Sequence, residues 1–327
     1  MKLEKILINQ SRLVALAGAF LAILLSGDAS AGQKIARVWV NGVEDGVLLP
    51  GVPAVLEMAF YDTDPATGER VILSDFIPFH MKMMHLVAVR SDLTTFSHFH
   101  PYYDGMSGEF QIPLHFPVRN KDNQSAETAF MGGGRYELFM EVKSEAHGML
   151  EFRHALEVSG NASERKEPPL RPDTDGRLVQ YFSGEGEPAG PGAPLRVQMT
   201  TSQLPACGGV LVKFHFNVEE KLDAEKPYGS PEGLEKWMMM GGHSIVMSQS
   251  GRDEDERFFA HLHAEFPESG GAYELSQFNR GAMAAGVYKI WLQIKKQGRV
   301  MTFPFVFDFA ALPASDCLEE NTQREEP

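Results

Sequence analysis

Short segments of the chain alternate apolar and polar residues with a period of two, which is the pattern of half-buried β-strands. Such segments lie at residues 54–60, 85–89 and 135–142 of the first half, and at 210–216, 243–247, 287–294 and 302–309 of the second. Few stretches follow the 3.6-residue period of a helix, and Gly and Pro separate the segments. The pattern predicts an all-β protein of two tandem antiparallel β-sandwich domains, Ig-like or cupredoxin-like.

The two halves of the chain also resemble each other. Residues 133–139 align with 285–291, and residues 152–158 align with 303–309. The first alignment pairs a Gly-x-Tyr motif in each half, and the second pairs a strand that begins with Phe. We therefore expect an internal duplication, which would supply a second, independent copy of any site.

Composition shifts predict the borders of these domains. Residues 161–176 are charged and carry three Pro, as in a linker, and the last residues are acidic. The predicted organisation is a signal peptide at 1–31, a first domain at 32–160, a linker at 161–176, a second domain at 177–312 and a disordered acidic tail at 313–327.

The first 31 residues have the features of an export signal. Lys2, Lys5 and Arg12 precede an apolar run at 13–25, and a small-x-small site ends at Ala31. An apolar run of about 13 residues is too short for a confident membrane span. We expect cleavage after Ala31, a periplasmic or secreted protein, and no stable membrane insertion.

Charge and cysteine content exclude several classes of protein. The net charge of −14 argues against nucleic acid as a partner. Two Cys exclude a disulfide-rich scaffold and Cys-rich zinc modules. In an oxidising compartment Cys207 and Cys317 could pair or stay as two thiols, and the sequence leaves this open.

Histidines recur in the same arrangement in both halves. One His begins a strand, a turn follows, and a His-x-His comes next; the sets are His85, His98 and His100, then His243, His261 and His263. Residues i and i+2 of a strand share a face, and a hairpin centred on the turn places the first His opposite one of the pair. Three imidazoles at that spacing can hold one metal ion at roughly 2.0–2.1 Å per bond.

The companions of these histidines are apolar. His85 shares its strand face with Val87 and Val89, and His243 shares its face with Ile245 and Met247. We therefore expect the imidazoles on the core-facing side of each sandwich, partly buried in a shallow site at its rim.

Methionines stand immediately before each histidine set. Six of the 16 Met lie at 81, 83, 84 and 238–240. Thioethers select Cu(I), and imidazole suits both copper states and zinc, so copper in either oxidation state is expected ahead of zinc. The candidate thioether ligands are Met81, Met83, Met239 and Met240. His80 could join the first site, and Met238 stands at its place in the second copy.

The region around the first set resembles a known family. Met83-x-His85-Leu-Val-x-Val, a Ser-Asp turn, Phe96-x-His98-x-His100-Pro and a later Gly-x-Tyr are similar to the secreted bacterial β-sandwich domains of the YtkA-like kind. The resemblance implies periplasmic copper or heavy-metal handling by Met83 and the six histidines. The second half departs from the pattern, because Gly241 replaces the Met and Ala264 replaces the Pro.

The sequence thus predicts a periplasmic copper protein that stores, buffers or delivers one ion per domain, with a metal-transfer protein as partner. Alternatives remain: the histidines could bond one another and the methionines fill a core, in a structural or adhesion module. A copper-dependent oxidoreductase is a further alternative, although no acid or base stands beside the histidines in the sequence. A blue-copper site is excluded, because neither Cys has a His nearby.

Overall fold

The computed structural model describes residues 33–64, 66–114, 130, 132–160, 178–206, 209–223, 225–250, 257–279, 282–310 and 312. The regular secondary structure of these residues consists of strands only. The strands are β1 Gln33–Val40, β2 Val43–Glu44, β3 Ala54–Thr63, β4 Arg70–Ile72, β5 Met84–Arg90, β6 Phe96–Phe99, β7 Tyr102–Asp104, β8 Glu109–Leu114, β9 Gly134–Ser144, β10 Gly148–Val158, β11 Leu178–Phe182, β12 Pro188–Ala189, β13 Leu195–Ala206, β14 Gly209–Glu220, β15 Leu234–Glu235, β16 Gly242–Ser248, β17 Phe259–Ala264, β18 Ala272–Asn279, β19 Gly286–Lys296 and β20 Arg299–Phe309.

Two β-sandwich domains follow one another along the chain. The first packs a sheet in the order β2-β1-β3-β8-β7, with β4 beside β3, against the sheet β10-β9-β5-β6. The second packs β12-β11-β13-β14-β18 against β15-β19-β16-β17, with β20 also paired to β19. All pairings within these sheets are antiparallel, and each sandwich encloses its own apolar core. The predicted fold class is confirmed, and each predicted strand lies within an observed one.

The strands β5 and β16 are buried on both faces. In β5, Met84, Leu86 and Ala88 belong to the core of the first sandwich, whereas Val87 and Val89 belong to a separate apolar cluster. A strand with two buried faces has a continuous apolar run in its sequence. The apolar residues that share a face with the histidines therefore do not reveal whether that face packs into the core of its own sandwich. The expectation that the histidine face points into its own core, at an exposed rim, is therefore wrong.

That separate cluster joins the two domains. It contains Val87, Val89, Leu93, Phe96 and Phe139 of the first domain and Ile245, Met247, Phe259 and Trp291 of the second. Its centre consists of crossed aromatic pairs. Phe139 stacks on Phe259 at 3.8 Å between ring centroids, and Phe96 stacks on Trp291 at 5.2 Å. The outer faces of two equivalent sheets thus form one buried interface.

Polar contacts close one end of this interface. Lys289 Nζ donates to the carbonyl of Leu93 at 2.6 Å, and the Arg257 guanidinium donates to the carbonyl of Ser91 at 2.6 Å. Arg257 also pairs with Glu137 at 3.1 Å. These cations fix the register of one domain against the other, and the histidines lie at the opposite end of the same strands.

The predicted signal peptide, the linker, the tail, Cys207 and Cys317 lie outside the described residues. Within the described part, no helix has the length and apolar character needed to cross a membrane.

Truncating an aromatic ring at the interface should destabilise the whole protein. We expect Phe139→Ala to lower the free energy of unfolding by about 3–5 kcal/mol, because the ring is buried and stacked. Urea unfolding followed by intrinsic fluorescence measures the loss. Tyr102→Ala, at a side chain that is 71% exposed, is the matched control and should change stability by less than about 1 kcal/mol. Equal effects of the two changes would contradict the interface.

Candidate metal centre

Hairpin register brings the histidines of each domain together. In the second domain His243 lies directly opposite His263, and Ile245 lies opposite His261. In the first, Val87 lies opposite His98 and Leu86 opposite Phe99, so the next position along the ladder sets His85 against His100. In each triad, one candidate ligand nitrogen per residue lies within 4.8 Å of the other two. Both triads could hold a metal ion.

Hydrogen bonds select the tautomers of the first triad. His85 Nε2 lies 3.3 Å from the carbonyl oxygen of Phe79, and His98 Nδ1 lies 3.2 Å from Gln293 Oε1. The amide nitrogen of Gln293 donates to Thr302 Oγ1, and its oxygen faces His98. In the tautomers that match these two acceptor oxygens, His85 Nε2 and His98 Nδ1 carry the protons. The lone pairs are then on His85 Nδ1 and His98 Nε2.

Those two lone pairs face each other. His85 Nδ1 and His98 Nε2 are 3.1 Å apart and buried. Two neutral acceptors at this distance repel each other unless a cation lies between them. Two nitrogens bound to one tetrahedral ion at about 2.05 Å would be about 3.3 Å apart. The geometry therefore matches a pair of ligands on one metal ion.

The second triad has an equivalent support from the first domain. His261 Nδ1 lies 2.5 Å from Glu141 Oε2. When Glu141 is a carboxylate, it accepts from Nδ1 and leaves His261 Nε2 with the lone pair. A carboxylate that accepts from a ligand imidazole orients the ring and raises its basicity. Glu141 pairs with no Lys or Arg among the described residues, so a bound cation would supply the missing positive charge.

Several nitrogens of the second triad are buried with no hydrogen-bond partner among the described residues. They are both ring nitrogens of His243, His261 Nε2 and His263 Nε2. Most buried polar side-chain atoms in proteins have a partner, and each exception calls for an explanation such as an ion. Four such atoms on three neighbouring rings indicate a shared ligand.

The two triads touch each other. Ring centroids of His98 and His261 are 5.0 Å apart, those of His85 and His261 are 5.4 Å apart, and those of His98 and His243 are 5.8 Å apart. These separations are close to those within a triad, such as 4.9 Å for His243 and His263. Six imidazoles thus form one cluster between the domains, where the sequence predicted one site at the rim of each.

Burial keeps the cluster uncharged. It lowers the pKa of His261 to about 3, and together with the neighbouring His261 and His80 it lowers the pKa of His263 to about 2. Burial and adjacent imidazoles also hold the pKa values of His85, His98 and His243 far below their ordinary range. Burial raises the pKa of Glu141 to about 7. Neutral imidazole is the form that binds a metal ion.

A matching turn covers each triad. Phe79 and Lys82 exchange backbone hydrogen bonds of 2.9 and 3.1 Å, and Trp237 and Met240 exchange bonds of the same lengths. The ring of Phe79 packs 4.6 Å from His85, and the ring of Trp237 packs 4.6 Å from His243. These aromatic rings exclude water from the ends of the cluster.

The methionines predicted as ligands lie in different surroundings. Met81 and Met239 are 66% and 69% exposed, outside the buried cluster, and Met83 packs against the core of the first sandwich. Met240 is half-buried in its turn. Gly241 takes the place of Met83 in the second copy, because a Cβ there would lie 2.1 Å from the carbonyl oxygen of Glu265. Ligation by any of these four thioethers stays a prediction.

His80 lies closer to the other domain's triad than to its own. Its ring centroid is 4.1 Å from that of His263 and 6.3 Å from that of His85. His80, which the sequence leaves as a possible member of the first site, thus lies nearer to the second triad. The cause is the packing of the domains, which places the turn before β5 beside the second triad.

Glu141 and Gln293 are the site residues that sequence reasoning missed. They occupy equivalent positions in the aligned strands β9 and β19, and each contacts the other domain's His-x-His pair. The signal was present, because both are polar residues on the same strand face as the buried Phe139 and Trp291. Their equivalence within the duplication could have identified them.

The fold and the site define a two-domain all-β protein with a histidine cluster between its domains. The chain belongs to the family described as "Domain of unknown function (DUF8832)", whose model matches residues 45–160 and again residues 195–311. The two matches confirm the internal duplication. No curated protein matches the chain.

Solved structures give only distant similarities. A titin fragment is 13% identical, with 81% of this chain and 94% of that chain covered and a TM-score of 0.16. An endo-fucoidan hydrolase of glycoside hydrolase family 107 is 11% identical, with 82% of this chain and 43% of that chain covered and a TM-score of 0.18. The Enterococcus faecalis MSCRAMM ACE is 7% identical, with 87% of this chain and 96% of that chain covered and a TM-score of 0.17. At such scores these similarities carry no argument about function.

Replacing a cluster histidine by an apolar residue should not destabilise the metal-free protein. We expect His243→Leu to keep or raise the free energy of unfolding in the presence of a chelator, because both ring nitrogens are buried without partners. Denaturant unfolding tests this. Ile290→Ala, at a fully buried core position, is the control and should cost about 2–5 kcal/mol. A comparable loss in His243→Leu would mean that the ring stabilises the fold without metal.

Proposed function

We propose that this protein binds copper in the histidine cluster between its domains and retains it as a periplasmic copper store or buffer. The observation that carries the proposal is the convergence of the ring nitrogens in each triad, which lie within 4.8 Å of one another and include the 3.1 Å contact between His85 Nδ1 and His98 Nε2. The unpartnered nitrogens of the second triad give the same indication independently. Together they support two ions, one in each triad.

Copper is favoured over zinc by the donors and their surroundings. Imidazole binds both metals, and among divalent ions copper binds nitrogen sites more tightly than zinc. Methionines stand in the turns beside both triads, and a soft thioether would favour Cu(I). The net charge of −14 attracts cations. The resemblance of residues 80–101 to YtkA-like domains, together with the predicted signal peptide, supports a periplasmic role.

Burial favours retention of the metal over rapid transfer. The imidazoles of His85, His98 and His243 are fully or almost fully buried. Aromatic rings cover the ends of the cluster, and the domain interface closes its side. Release to a partner protein would therefore require the domains or the covering turns to move apart. A metal-transfer partner would have to drive that opening.

A copper-dependent oxidoreductase is the second candidate function. The observation that favours it is the contact between the triads, because two adjacent copper ions can exchange electrons with one substrate. Glu141, hydrogen-bonded to His261, is an acid or base at the site. Oxygen consumption by the copper-loaded protein with ascorbate as reductant would support this function, and its absence would leave the storage function.

Each triad should bind one copper ion. We expect anaerobic Cu(I) titration followed by mass spectrometry to give two ions per chain. The double change His98→Ala/His100→Ala should remove at least one ion, because it deletes two ligands of the first triad. His147→Ala, at an exposed histidine of the same domain, is the control and should bind two. No bound copper in the unchanged protein, or unchanged binding after the double change, would refute the proposal.

Copper should also stabilise the folded protein. A ligand that binds only the native state adds about 2.7 kcal/mol at a hundredfold excess over its dissociation constant. We therefore expect the melting temperature to rise with Cu(I) and to return to the metal-free value with a chelator. Differential scanning calorimetry measures both. Indifference to metal and chelator would instead favour a structural or adhesion module with buried histidines.

A further inference from the structure

The turns before β5 and β16 have an unusual backbone. His80 and Met81 have φ angles of 47° and 68°, and Met238 and Met239 have φ angles of 51° and 68°. Hairpin turns with two left-handed residues normally use Gly or Asn, because a Cβ is strained in this region. Both domains hold side chains in this conformation at the same two positions.

His80, the first of these residues in domain one, faces the second triad. Its ring centroid lies 4.1 Å from that of His263, whose Nε2 is buried and has no hydrogen-bond partner among the described residues. His80 is half-buried at the edge of the cluster. Its imidazole therefore packs against one ring of the second triad.

Met238, the equivalent residue of domain two, lies in the turn beside the first triad. The adjacent Trp237 has its ring 5.6 Å from His98 and 6.3 Å from His100. Met238 is only 9% exposed, whereas its neighbour Met239 is 69% exposed. The turn thus buries one thioether and leaves the other in solvent.

We propose that each triad takes its fourth ligand from the opposite domain: His80 completes the second triad, and Met238 completes the first. The centre would then hold two unlike ions, one in a four-histidine site and one in a three-histidine, one-methionine site. A thioether selects Cu(I), so the first-triad site is the more specific for Cu(I), and the four-histidine site also accepts Cu(II) or zinc. This inference rests on the proposed metal-binding function.

The exchange of ligands makes the domain interface part of both sites. Glu141 and Gln293 already cross it to bond the histidines of the opposite domain. A fourth ligand that also crosses would bind each metal ion to both domains at once. Metal binding would then hold the two sandwiches together.

The test compares matched methionine variants of the full chain, each loaded anaerobically with two equivalents of Cu(I). We expect X-ray absorption at the copper edge to show a sulfur neighbour in the unchanged protein and in the control Met106→Leu, whose side chain is 99% exposed. Met238→Leu, which conserves volume and should fold, should lose that sulfur signal. It should also weaken one of the two Cu(I) sites about tenfold to hundredfold in competition with a chelator, and leave zinc binding unchanged.

The second part of the test changes His80, in the turn before β5. His80→Ala should weaken the other Cu(I) site by a similar factor, and His80→Met should restore it and add a second sulfur neighbour. If the unchanged protein binds two ions but shows no sulfur signal, or if Met238→Leu keeps the signal, the exchange of ligands is refuted and the proposed function stands. If the unchanged protein binds no metal, the proposed function fails as well.

Discussion

The packing of one sheet of each sandwich against the other is the interaction on which the rest of the structure depends. It buries the second face of β5 and β16, which are already buried on their core faces. At one end of this interface aromatic rings stack, and Lys289 and Arg257 bond backbone carbonyls across it. At the other end the same two sheets carry six histidines, on or beside β5, β6, β16 and β17. Without this contact, the imidazoles would lie on two separate solvent-facing sheets.

The placement of polar rings at a buried interface has a cost that the surrounding residues only partly offset. Buried polar groups without partners cost roughly 1–3 kcal/mol each, and apolar residues would pack here without that cost. Glu141, Gln293 and the Phe79 carbonyl satisfy one nitrogen each on three rings, and in doing so they aim the remaining lone pairs inward. The unsatisfied nitrogens of His243 remain. An arrangement that orients lone pairs toward one another is suited to a cation. A bound metal ion would give these nitrogens a partner and so remove the cost of burying them.

Much of the fold and part of the site could be predicted because they depend on local pattern. Alternation located the strands, and the hairpin centred on the turn placed His243 opposite one residue of the His-x-His pair, which the structure shows to be His263. Alignment of the halves predicted the duplication that the family model matches. The predicted position of the histidines on the core-facing side was wrong because Val87 and Val89 pack against the other domain. The position of His80 beside the second triad did not follow from the sequence for the same reason, since sequence proximity to His85 does not reveal what packs against its turn.

The sequence alone determined which residues share a strand face, since a period of two is a property of the backbone, and which residue types repeat in the two halves. It therefore contained both histidine triads and their chemistry. Only the tertiary structure decided that the two faces meet, that the triads form one buried cluster, and that Glu141 and Gln293 reach across to support it. The physical reason is that the hydrophobic effect is non-directional: burial of apolar area drives two surfaces together, but the local sequence pattern does not show which surface will be the partner. Contacts between residues far apart in the chain follow from that association alone.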